Sequence, residues 1–178
     1  MKKSTLKEIL GTSIYLLGVV LAAFLVIKFV GQRTVVIGSS MNTTLYDEDN
    51  LILNKISYAF HDPERFDVVV FPFRDDTGRN YIKRVIGLPG ETVRIDEEGN
   101  IFIDDELLSE NYGIEIIRNG GRAAGDGFTL GDDEYFVMGD NRNASDDSRF
   151  SVGAVKRGEI IGKAWVRIYP FNSVGKIK

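Results

Sequence analysis

The chain has 178 residues, 43% hydrophobic and 27% charged, with 22 basic side chains, 26 acidic ones and a formal net charge of −4. That length and balance suit one folded domain with one membrane segment and exclude a disordered chain. With no cysteine and a single histidine, His61, disulfides, thiol nucleophiles and multi-histidine metal sites are excluded, and only one imidazole is available as a general base, which opens that role to a lysine.

Residues 1–8 carry three lysines, and residues 9–30 form an apolar run interrupted mainly by Thr12, Ser13 and Lys28. At helical rise the run spans about 33 Å, enough to cross a bilayer core, and Lys28 near its end can reach the interface. A transmembrane anchor over 9–30 is expected, with 1–8 as a cytoplasmic tail by the positive-inside rule and 31–178 as an extracytoplasmic domain. A cleaved signal is the competing reading. The apolar run continues past Ala22-Ala23 with no Ala-x-Ala site after it, which favours retention. Removing Lys2, Lys3, Lys7, Glu8 and Lys28 from the totals leaves 18 basic and 25 acidic residues over 31–178, a net charge of −7, so no nucleic-acid partner is expected.

Beyond the anchor the period becomes that of strands, and the domain reads as mainly β. Strands are predicted at 34–38, 51–55, 67–71, 81–86, 92–95, 101–103, 135–138 and 160–168, with a hairpin turn at Glu97-Glu98-Gly99-Asn100. Residues 109–133, with Gly120, Gly121, Gly125, Gly127 and Gly131 among them, read as an irregular insertion or flap. Phe71-Pro72-Phe73 is either core, pocket wall or a contact with lipid. No internal repeat and no second domain boundary is evident.

Three stretches carry chemistry. The first, Val35-Val36-Ile37-Gly38-Ser39-Ser40-Met41, turns at two serines just after the anchor; it is an ordinary turn or the seat of a nucleophile. In the second, Tyr81-Ile82-Lys83-Arg84-Val85-Ile86-Gly87-Leu88-Pro89-Gly90, alternation places Tyr81, Lys83 and Val85 on one face. If that face is inward, burial lowers the lysine pKa and supplies a neutral amine; if outward, Lys83 and Arg84 are an exposed edge pair. The third, Gly139-Asp140-Asn141-Arg142-Asn143-Ala144-Ser145-Asp146-Asp147-Ser148-Arg149, is either a plain loop or one fixed by Asp–Arg hydrogen bonds. It is not an EF-hand calcium loop, because Arg142 and Ala144 fall where oxygen ligands are required.

Together these stretches resemble the type I signal peptidases, bacterial leader peptidases of the Ser-Lys class. Ser40-Met41-Asn42-Thr43-Thr44-Leu45 is similar to that family's Ser-Met-x-Pro-Thr-Leu, and the second and third stretches match its lysine and loop motifs in order. Weaker likenesses lie at 63–71 and at Gly162-Lys163-Ala164-Trp165. The resemblance implies a transmembrane helix followed by an antiparallel β-sheet catalytic domain, with no cofactor and no metal. It implies Ser40 as nucleophile, Lys83 as general base, Ser145 bonded to the lysine amine, and the pairs Asp147–Arg149 and Asp140–Arg84 bracing the loop. With Gly38 two residues before the nucleophile, as in Gram-positive members, the oxyanion donor is the Ser40 backbone N–H. Met41 is implied to lie beside a pocket for a small side chain, with Gly38 also contacting substrate.

The chain departs from the family at Thr43, where proline is usual, and at Phe66, where glycine is common. Thr43 implies a looser turn behind Ser40, and Phe66 an effect on packing more than on chemistry. The implied function is removal of signal peptides from exported preproteins beside the lipid bilayer, the substrate binding as an added strand. A Ser-Lys peptidase for one substrate or for pilus assembly, or an inactive anchored binding domain, are the alternatives. A cytosolic self-cleaving repressor is excluded by the anchor and the lack of a DNA-binding segment.

Overall fold

A computed structural model describes residues 2–25, 31–73, 80–113 and 115–177. Helix α1, Lys2–Leu25, contains the one span among the described residues that is long and apolar enough to cross a membrane, Lys7–Phe24, and its side chains from 7 to 24 are exposed. The end of the expected anchor, 26–30 with Lys28, lies outside the described residues.

Among the described residues the helix is followed by β1 Gly31–Val35, β2 Asn50–Asn54, β3 Val68–Pro72, β4 Asn80–Gly87, β5 Thr92–Ile95, β6 Ile101–Ile103, β7 Glu106–Leu107, β8 Phe128–Thr129, β9 Glu134–Met138 and β10 Val155–Lys156. They are joined by β11 Gly162–Tyr169, β12 Gly175–Lys176 and one short helix, α2 Ser57–Phe60. The larger sheet runs β1-β2-β11-β3-β4-β9-β10, with β12 on the flank of β11; the smaller runs β7-β6-β5-β8. Every recorded pairing is antiparallel.

Sequence pattern and layer agree. β3 begins Val-Val-Val-Phe with all four buried, as a central strand covered on both faces requires. Its Val69 packs with Val85, Tyr135 and Val137 on one face, while Val68 and Val70 pack with Met41, Leu45, Leu51 and Leu53 on the other. A third cluster joins the sheets, Ile86, Phe136 and Met138 of the larger meeting Val93, Ile95, Ile101 and Ile103 of the smaller. Each fully buried side chain of this kind contributes about 1.5–3 kcal/mol relative to exposure. Phe71 is core, not lipid contact: it is buried in the Val69 cluster, edge-on to Tyr81.

The predicted strands at 92–95 and 101–103 are β5 and β6, and the turn between them uses Gly99 at φ 84. The first strand is displaced. Gln32 to Val35 pair with Leu53 to Asn50, and past Asn50 no partner strand remains, so the chain leaves the ladder at Val36 and bends at Gly38, φ 90. Four two-residue strands and α2 went unanticipated, being too short to show a period. The irregular segment 109–133 lies along the third stretch and is fastened to it: Glu110 pairs with Arg142, Asn143 donates to Glu115 and to the Ile116 carbonyl, and Arg122 N–H donates to the Arg149 carbonyl.

Candidate active site

The three stretches meet at one end of a groove of about 610 Å³, lined on one side by residues 34–40 and on the other by 80–83. The nucleophile turn is set by hydrogen bonds around Ser40. Gly38 N–H donates to the Asp47 carboxylate at 2.7 Å, Asn42 N–H to the Ser39 carbonyl at 3.1 Å, and Leu45 N–H to the Met41 carbonyl at 2.9 Å. From the loop after β9, Asn141 donates its N–H to the Ser40 carbonyl at 3.0 Å and its side-chain amide to the Ser39 carbonyl at 3.1 Å. That approach needs Gly139, where a Cβ would stand 2.4 Å from the Ser40 carbonyl oxygen. The Asn42–Thr43 peptide bond is cis.

Lys83 sits mid-strand in β4, and its face is the inward one: Tyr81 and Val85, its neighbours on that face, both pack against the Val69 cluster. Its Nζ donates to Ser40 Oγ at 2.8 Å and to the Ile82 carbonyl at 3.2 Å, and lies 4.9 Å from the centre of the Tyr81 ring. The side chain is 3% exposed. Burial pushes its pKa down from 10.5 to about 8, against the opposing pull of the Asp147, Asp146 and Asp140 carboxylates.

Two buried ion pairs hold the surrounding backbone. Arg84, next to Lys83, donates through Nε and Nη2 to the two oxygens of Asp140 at 2.8 and 2.7 Å. Arg149 donates in the same forked way to Asp147 at 2.8 and 2.9 Å and also to the Arg142 carbonyl at 2.5 Å. Such bidentate pairs fix direction as well as distance.

Ser145 does not make the contact with the lysine amine that the resemblance implies, and Met41 lies behind the groove wall, packed against Val36 and Val70 that line it. The Ser145 hydroxyl is buried over Gly139 and has no hydrogen-bond partner among the described residues; the lysine amine is engaged by Ser40 and Ile82 instead. Met41 is fully buried among Val36, Leu45 and Val70 and does not line the groove, because the turn after Ser40 sends its side chain into the core. Gly38 does line it.

Sequence reasoning missed several partners. Thr44 donates its hydroxyl to Asp140 at 2.5 Å, tying the nucleophile turn to the Arg84 pair, and its place in the first motif was the signal available. The Tyr112 ring lies under the Arg84 guanidinium at 3.6 Å, and Glu110 holds Arg142 at 2.7 Å. Neither sits in a periodic segment, so nothing marked them. Among the described residues no group of three or more His, Cys, Asp or Glu is gathered to hold a metal ion.

Comparison with known proteins places the chain in a family. Residues 9–169 match the family model described as signal peptidase, peptidase S26. A probable signal peptidase I-2 of Synechocystis is 41% identical over 157 residues, 83% of this chain and 67% of that protein. The signal peptidase I of Bacillus amyloliquefaciens is 35% identical over 168 residues, 89% of this chain and 87% of its own. A crystal structure of a signal peptidase I from Enterococcus faecalis, 34% identical, covers 58% of this chain and 97% of its own with a TM-score of 0.47. With the family model matching residues 9–169 and relatives 41% and 35% identical over 83% and 89% of the chain, the chain belongs to the signal peptidase family, peptidase S26.

Proposed function

We propose that this chain is a membrane-anchored serine endopeptidase that removes signal peptides from exported preproteins, with Ser40 as nucleophile and Lys83 as general base. The observation that carries the reading is the 2.8 Å contact between Lys83 Nζ and Ser40 Oγ, both of which line the groove. With its pKa held to about 8 by burial, the amine is neutral in a substantial fraction of molecules near neutral pH. In that form it accepts the Ser40 proton as Oγ attacks the scissile carbonyl.

The negative charge that develops on the carbonyl oxygen is met by the Ser40 backbone N–H, which no acceptor among the described residues engages. Collapse of the tetrahedral intermediate passes the proton from the Lys83 ammonium to the leaving amine and leaves an acyl-enzyme on Ser40. Lys83, neutral again, takes a proton from the water that attacks the ester and returns it to Ser40 Oγ as the C–Oγ bond breaks, which frees the signal peptide as its carboxylate and restores the enzyme. Arg84–Asp140 and Arg149–Asp147 hold the groove's backbone during these steps, and Ser145, buried beside the Ser40 carbonyl, supports the same wall.

The groove between 34–38 and 80–82 suits an extended peptide that pairs as an added strand. The lysines of the first eight residues favour a cytoplasmic N-terminus, a bilayer-spanning anchor and an extracytoplasmic domain. The test is processing of a preprotein by purified protein. Ser40→Ala and Lys83→Ala should fold and fail to cut, and a serine-acylating probe should label the wild type but not Ser40→Ala; normal processing by either variant would falsify the dyad.

A further inference from the structure

Beside Ala144 in the groove lies a charged side chain that exchanges no proton with the dyad, although its charge opposes the lowering of the Lys83 pKa. Asp146 is exposed and lines the groove. Its carboxylate is aimed by Ser151, whose N–H donates to one oxygen at 3.1 Å and whose hydroxyl donates to the other. Those two bonds fix the group without neutralising it. Among the described residues no lysine or arginine pairs with it, whereas Asp140 and Asp147 nearby are both matched by arginines.

Among the described residues lining the groove, Asp146 is the only carboxylate and Lys83 the only cation. The base works as a neutral amine, so in the reactive form Asp146 holds the groove's one formal charge. The rest of the lining near it is small or apolar, from Ala144 to Val36 and Ile82. A charge held in place against such a wall acts on whatever the substrate brings past it.

Resting on the peptidase reading above, a substrate seated along 34–38 and 80–82 with its carbonyl at Ser40 sends its leaving amine past Lys83, toward Ala144 and Asp146. We propose that Asp146 is a specificity-determining residue, favouring preproteins with a basic side chain just after the scissile bond and disfavouring those with an acidic one.

The experiment compares kcat/KM for two peptides, or two preproteins, that differ only in lysine or glutamate at the first position after the cut. At low ionic strength the wild type should favour lysine by about tenfold, since attraction for one and repulsion for the other both contribute, and added salt should shrink the ratio. Asp146→Asn should bring the ratio close to one, and Asp146→Lys should invert it. A wild-type ratio near one overturns the inference, as does a lysine preference that persists in both variants. If Asp146→Asn moves the pH–rate profile and leaves the ratio unchanged, Asp146 acts only on Lys83 and selectivity lies elsewhere. A wild type that cuts neither substrate overturns the peptidase reading itself, a failure distinct from cutting both equally.

Discussion

Arg84 and Asp140 meet through two parallel hydrogen bonds, at 2.8 and 2.7 Å, with both side chains wholly withdrawn from solvent. The pair joins the strand that carries Lys83 to the loop that touches the Ser40 carbonyl, and Thr44 reaches the same carboxylate from the nucleophile turn. Removing one partner strands a buried charge. Asp140→Ala should therefore cost about 3–5 kcal/mol in denaturant unfolding of the detergent-solubilised protein. Asp140→Ala combined with Arg84→Met should recover part of that loss, because no unpaired guanidinium then remains.

The pH dependence of cleavage follows from Lys83. With its pKa lowered to about 8, kcat/KM should rise about tenfold per pH unit on the acid side and level off above about 8. Lys83→Arg keeps the charge and cannot deprotonate, so it should be inactive across the whole range. A profile flat between about pH 6 and 10 would exclude a lysine base.

The same shift predicts a stability change of definite sign. Between about pH 8 and 10.5 the unfolded chain still holds the Lys83 proton while the folded chain has released it, so stability rises with pH across that window. Below about 8 both states are protonated and the full penalty of burying the ammonium, about 3 kcal/mol, is present. Lys83→Met should be more stable than wild type at neutral pH and should lose that Lys83-dependent rise, as read from denaturant midpoints.

The local parts of this fold were legible and the long-range parts were not. Strand patterns identify β5 and β6 residue for residue because alternation and turn glycines are local signals. The inward face of β4 is not local: Lys83 is buried because Tyr81 and Val85 meet side chains from α2, β9 and β10, which no window around residue 83 contains. Nor does spacing reveal that Glu110 and Tyr112, in an unpatterned segment, close over Arg142 and Arg84. Met41 is a further case, since its place next to Ser40 does not tell that the turn directs it into the core, behind Val36 and Val70 of the groove wall.

Phe66 gives the sharpest test of a backbone constraint that the sequence does not display. Its φ of 73 lies in the left-handed region that favours glycine, a constraint that stands beside the packing role the sequence suggested. The conformation cannot relax cheaply: Phe66 N–H donates to the Val85 carbonyl at 2.8 Å, and its own carbonyl accepts from Arg84 at 2.8 Å. Its half-buried ring packs against Tyr112, tilted by 45° with centroids 5.2 Å apart, which offsets the backbone cost in this chain. Phe66→Ala and Phe66→Gly both delete the ring, but only alanine keeps the left-handed penalty. Phe66→Gly should therefore be the more stable of the two by about 1 kcal/mol, the reverse of the usual order for these residues. If alanine proves the better replacement, the backbone at 66 is not held in this conformation, and the anchoring of Arg84 on its carbonyl must be different.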